Sequence, residues 1–251
     1  MAHRLAICNR KGGTGKTTVS VNIAAEMASR GLRVLLIDLD PQCHCAAGVG
    51  MNQSGPTVHD VFHRADVSLN QAIQRTGISG LWLATADPCF DHSLARTGHL
   101  PLPEALTKSG ADDCFDLIVL DTPPSLDPLL INALASADSV VVPFIPHQLS
   151  MLGVRQLVQQ MYTIKSSHNP SLTLAGFLPN LASQTMRHHK RVMQDIEIQF
   201  GAGRLLPSIR SDIRLAEAFA SGQPVRLFSP GSGGAHDFVR LAAKLAEKIR
   251  A

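Results

Sequence analysis

The 251-residue sequence predicts an α/β fold, built as a single doubly wound, mostly parallel sheet with helices on both faces. Three observations predict it. Short runs rich in Val, Ile and Leu recur along the chain, segments with apolar residues at three- and four-residue spacing separate them, and the first run enters the first such segment through a glycine-rich loop.

The apolar runs are Leu5 to Cys8, Val34 to Asp38, Leu81 to Thr85, Leu117 to Asp121, Val140 to Phe144 and Leu172 to Leu178. Runs apolar on both faces suit strands covered from both sides by helices. The helical segments between and after them are Thr17 to Arg30, Leu129 to Ser136, Leu152 to Lys165, Arg187 to Phe200 and His236 to Arg250. Segments 50–80 and 86–112 carry Gly-Pro, Asp-Pro and Pro-Leu-Pro breaks and are expected to form helix-and-loop excursions near the face that binds the ligand. A Pro/Gly/Ser stretch, Ser229 to Gly234, is expected to hinge the last helix. No linker of shifted composition and no internal repeat divides the chain, so one domain over 1–251 is expected.

A hydrophobic content of 45% with 17% charged residues is ordinary for a globular protein. No apolar run approaches the roughly 20 residues of a membrane span, and no leader pattern precedes Leu5, so a cytoplasmic protein is expected. Five cysteines at irregular spacing read as reduced thiols, and Cys43-His44-Cys45 is too tight for a Cys-x-x-Cys metal clip. The net charge of +3 hides an asymmetry. Residues 1–184 hold 12 Lys and Arg against 14 Asp and Glu, whereas 185–251 hold 11 against 6. The basic surface therefore concentrates in the last quarter, 185–251.

The first strand runs into Lys11-Gly12-Gly13-Thr14-Gly15-Lys16-Thr17-Thr18. Glycines there let backbone N–H groups turn around phosphates, the following helix adds its positive end, Lys16 reaches the β and γ oxygens, and Thr17 offers a hydroxyl to Mg²⁺. Arg10 stands where the general pattern G-x-x-x-x-G-K-[ST] has its first glycine. The sequence resembles the deviant Walker A motif of the ParA/MinD family of P-loop ATPases, where a second lysine precedes the glycines, and is closest to short ParA-type members. The resemblance implies that Lys11 reaches the ATP of a partner copy, so that ATP drives homodimerisation. A cation from a second subunit offsets triphosphate charge only in the dimer.

Asp38-Leu39-Asp40-Pro41-Gln42 ends the second strand, and alternation points Asp38 and Asp40 to one side. It resembles the family's DxDPQ segment, which implies that Asp40 orients the attacking water while Asp38 supports the metal shell. Asp121-Thr122-Pro123-Pro124-Ser125 closes an apolar strand and looks like a Walker B strand with its switch loop; Asp121 would hold Mg²⁺ through water. The nucleotide motifs thus span 9–18, 38–42 and 121–125. The resemblance also places Asn180 on the adenine with Pro207 closing the pocket, although Asn180 after Leu178-Pro179 equally suits a simple turn.

Arg187, Lys190 and Arg191 precede apolar positions on an amphipathic segment, and Arg210 and Arg214 lie in a stretch resembling the DNA-binding region of ParA proteins. Without aromatic interleaving or a recognition helix, the expected mode is salt-sensitive contact with the phosphates of non-specific double-stranded DNA. The final segment places Phe238, Leu241, Leu245 and Ile249 on one stripe; MinD-like relatives use such a helix on membranes, but this alanine-rich stripe suits packing better. The resemblance implies an ATPase stimulated by a ParB-like or other adaptor. It would position a plasmid, chromosome or protein cargo on the nucleoid. The lack of an extension before Leu5 fits the short positioning members. A MinD-like membrane-associated ATPase and a biosynthetic ligase on the same fold are the alternatives.

Overall fold

The computed structural model describes the chain except residue 65, residues 92–99 and residues 184, 202 and 251. Strands β1 (His3–Ile7), β2 (Val34–Asp38), β3 (Ile73–Arg75), β4 (Leu81–Ala84), β5 (Leu117–Asp121), β6 (Ser139–Phe144) and β7 (Thr173–Pro179) form one sheet in the order β3-β4-β2-β5-β1-β6-β7. All neighbours are parallel except β3 and β4, an antiparallel pair at one edge. The apolar runs read as strands all join this sheet.

Helices α1 (Lys16–Ser29), α2 (His44–Gly48), α3 (Leu69–Ala72), α4 (Pro101–Lys108), α5 (Ala111–Cys114), α6 (Pro128–Ser136), α7 (Ser150–Ser167), α8 (Arg187–Phe200), α9 (Ile213–Ala220), α10 (Val225–Phe228) and α11 (Gly233–Arg250) cover the sheet. Strand alternation decides which face each side chain joins. Leu5, Ile7, Val34, Leu36, Leu117 and Val119 pack with residues of α1, α9 and α11 in one core. Ala6, Cys8, Leu35, Ile37, Ile118 and Leu120 pack with α4, α6, α7 and α8 in the other. By the same alternation Asp38 and Asp121, paired across β2 and β5, belong to the α1 face.

Segment 50–80 supplies a 3₁₀ turn over Val58–Phe62 with a Thr57/Asp60 capping box, and the edge strand β3. From segment 86–112, α4 packs against α6 in the core opposite α1, whereas an excursion near the ligand-binding face was expected; residues 92–99 of that segment lie outside the described residues. Ser229 to Gly234 does not form an open hinge, because α11 already begins at Gly233 and Gly234 donates its N–H to Asp212. The α11 stripe is internal: Phe238, Leu241 and Leu245 are fully buried against the α1 face and Ile249 packs beside them. Among the described residues no helix is long and apolar enough to cross a membrane.

Candidate nucleotide site

The carboxyl ends of β1, β2 and β5 converge on the start of α1. Gly15 precedes α1 at φ 82°, in the left-handed region that glycine adopts without steric cost, and no side chain caps the helix. The first-turn N–H groups therefore remain open to an anion, as a phosphate cradle requires. A cavity of about 350 Å³ lies there, lined by Gly12, Gly13, Gly15, Lys16, Thr17, Thr18, Asp40, Gln42, His44, Pro124 and Phe219.

Lys16 is buried at the mouth of α1; burial lowers its pKa, opposed by the charges of Asp121 and Asp40. Lys11 sits exposed on the outer rim of the loop. Its backbone N–H is held by Asn9 Oδ1 at 2.9 Å while Asn9 Nδ2 donates to Pro143 O at 2.7 Å, so the loop is tied to the end of β6. Among the described residues its ammonium has no carboxylate partner. One lysine thus faces inward and the other is free to reach out.

Asp38 and Asp121 are both buried, one across from the other. Asp38 accepts from the backbone N–H groups of Asp40 (3.1 Å) and Cys45 (3.0 Å). Burial, then the charge of Asp121, pushes its carboxyl well above the usual carboxylate range. Burial also raises Asp121, against hydrogen bonds from Ser20 and Thr17 and the charge of Lys16. Ser20 Oγ donates to Asp121 Oδ1 at 2.7 Å. Two like carboxyls that resist ionising together would be relieved by a cation, and their oxygen ligands suit Mg²⁺. Asp40 is buried, lines the cavity and accepts from Gln42 N at 3.0 Å. Thr122, immediately after β5, donates to Ile7 O at 2.9 Å and ties the chain there to β1.

Residues 2–174 match the family described as an AAA domain. The chain is 34% identical over 98% of its length to the chromosome-partitioning ATPase Soj of Thermus thermophilus, covering 96% of that protein. It is 31% identical over 98% to the chromosome partitioning protein ParA of Caulobacter vibrioides, covering 94% of it. The chain belongs to the ParA/MinD family of P-loop ATPases. Among solved structures, cobyrinic acid a,c-diamide synthase from Mycobacterium smegmatis with a bound ATP analogue and magnesium superposes with a TM-score of 0.84. It is 30% identical, with 100% of this chain and 96% of that one covered.

The remaining residues expected from the ParA/MinD resemblance take several environments. Asn180 is buried and its Nδ2 donates to Thr14 O at 2.8 Å, so its amide braces the phosphate loop. A Cβ on Gly15 would lie 2.2 Å from that nitrogen, which makes the glycine a packing requirement as well as a conformational one. Pro207 is half-buried in the connection following α8. Arg187, Lys190 and Arg191 are exposed along α8. Arg210 instead grips the buried Asp237 of α11 with Nε (2.8 Å), Nη2 (2.9 Å) and its backbone N–H, and Arg214 pairs with Glu217 at 2.6 Å.

Ser20 and Phe219 carry no signal in the sequence, and His44 and Cys45 belong to the cluster judged there too tight for a metal clip. Ser20 lies one turn into α1, His44 and Phe219 meet edge to face at 6.4 Å over the cavity, and Cys45 Sγ lies 3.5 Å from Asp121 Oδ2. Phe219 reaches the cavity from α9, far along the chain, so only the fold reveals it.

Proposed function

We propose that this chain is a ParA-type positioning ATPase. Working as one domain over 1–251, it dimerises around ATP, holds double-stranded DNA without reading its sequence and releases it on hydrolysis. The cofactors are ATP and Mg²⁺. The observation that carries the reading is the division of labour between two lysines of one loop, Lys16 buried on the cavity and Lys11 exposed on its rim.

Lys16 and the open N–H groups of α1 hold the β and γ oxygens, and Thr17, Asp38 and Asp121 hold the metal. Bound Mg²⁺ supplies charge neutralisation of the phosphates. Asp40 orients water for in-line attack, and Lys11 reaches the triphosphate of a second copy, so that assembly follows nucleotide state. Thr122 to Pro124 relay loss of the γ-phosphate into α6. Arg187, Lys190 and Arg191 form the phosphate-contacting stripe. Arg214 joins it by exchanging its exposed pair with Glu217 for a phosphate, an exchange of small cost. Arg210 anchors α11. A ParB-like or other adaptor stimulates hydrolysis, and the cargo is a plasmid, a chromosome or a protein assembly carried over the nucleoid. Relatives named for chromosome partitioning support this reading. So does the burial of the α11 stripe, whose Phe238, Leu241 and Leu245 pack in the core of the α1 face.

The likeness to the diamide synthase favours one second reading, ATP-dependent amide formation on a small acid. One variant separates them. Asp40→Ala should still bind ATP, lose turnover by about a hundredfold or more, and remain on random duplex DNA after ATP is chased with ADP. Unchanged turnover would remove Asp40 from the chemistry, and turnover that rises only with a small carboxylic acid would favour the ligase.

A further inference from the structure

Cys45 follows Cys43 and His44 in sequence, yet the start of α2 turns the three apart. Cys43, at φ 55°, directs its thiol to Pro41 O, and His44 faces Phe219 over the cavity. Cys45 points inward. It is fully buried, its N–H donates to Asp38 Oδ2, and its sulfur meets Asp121 Oδ2. One ligand atom from each of Asp38, Cys45 and Asp121 lies within 4.8 Å of the other two.

A tetrahedral ion bonded at about 2.3 Å to sulfur and about 2.0 Å to oxygen holds those two atoms roughly 3.5 Å apart. The Cys45–Asp121 separation is 3.5 Å. Asp38 and Asp121 face each other across β2 and β5, and Lys16 places its charge near Asp121. Magnesium takes oxygen ligands and draws little from a thiol, whereas thiolate sulfur selects softer ions.

We propose that Asp38, Cys45 and Asp121 form a binding site for a thiophilic divalent cation of the Zn²⁺ class. The site rests on these three side chains, and its competition with Mg²⁺ rests also on the Mg²⁺ role proposed for Asp38 and Asp121. On binding, the Cys45 S–H bond breaks, its proton passes to bulk water and the sulfur electron pair forms the S–metal bond. The ion occupies carboxylates that a nucleotide-bound Mg²⁺ uses, so the two metals exclude each other.

Cd²⁺ titration tests this directly, read by the ultraviolet charge-transfer band of a Cd–thiolate bond. The nucleotide-free chain carrying Cys43→Ser, Cys89→Ser and Cys114→Ser retains only the two buried thiols, Cys8 and Cys45. It should show a band saturating at one equivalent. Adding Cys45→Ala should abolish the band and adding Cys8→Ala should leave it, with far-UV circular dichroism verifying that each variant is folded. Asp121→Asn should weaken the titration on the order of tenfold. A folded parent without the band, a band that survives Cys45→Ala, or affinity indifferent to Asp121→Asn would overturn the site.

Discussion

Arg210 shows how a residue's role depends on a partner distant in sequence. Its guanidinium and backbone N–H close on Asp237, which is 1% exposed and also held by Arg240. Burial opposes ionisation of Asp237, but the hydrogen bonds and charges of these arginines outweigh it and hold the carboxyl below its usual value. Such a lowered group stabilises the fold above the unfolded carboxylate pKa of about 3.9, and that contribution is lost as pH falls through the lower folded value. Arg210→Ala should therefore cost about 1–2 kcal/mol in urea unfolding at neutral pH, with the deficit shrinking in acid. An equal deficit at both pH values would show that packing, and not the charge pair, is what Arg210 provides. From sequence alone Arg210 looked like one more cation beside Arg214. Nothing local announces that α11 places an acid beneath it.

At the scale of elements, the strands were legible where both faces are buried, because β2, β5 and β6 are buried along their length and mostly apolar. The phosphate loop was legible for a different reason. Its chemistry depends on residue types at fixed spacing, and these survive as a pattern. Strand β3 was missed because Ile73-Gln74-Arg75 is three residues at an exposed edge, where neither apolar content nor length marks a strand. Helix α8 was legible in full, Arg187–Phe200, since Val192 and Ile196 bury one face while its cations face solvent. If that face holds DNA, replacing Arg187, Lys190 and Arg191 by Gln in both protomers should flatten the plot of log affinity against log salt by up to about 5 in slope. Fluorescence anisotropy with random duplexes at several salt concentrations measures this. An unchanged slope would move the DNA interface elsewhere.

Over the whole molecule, the two faces of one sheet carry separate cores. The α1 face gathers Lys16, Asp38, Asp121 and Ser20 into one site, and its core includes residues of α9 and α11. The opposite face is built from α4 and from α6 to α8, so the basic helix belongs to a different core from the cavity. Asn180 crosses between them, running from the end of β7 to the carbonyl of Thr14, and ties the chain entering α8 to the phosphate loop. In the proposed cycle, coupling of DNA to nucleotide needs no long relay inside a protomer. A second copy recruited through Lys11 doubles the number of phosphate contacts and raises DNA affinity by multivalency.

Sedimentation of the Lys11→Ala variant with ATP and Mg²⁺ tests that claim most directly, in an Asp40→Ala background that prevents turnover. The parent should sediment as a monomer with ADP and as a dimer with ATP, and the Lys11→Ala chain should remain monomeric with either nucleotide while still binding ATP. A Lys11→Ala chain that dimerises with ATP as well as its parent does would contradict the account.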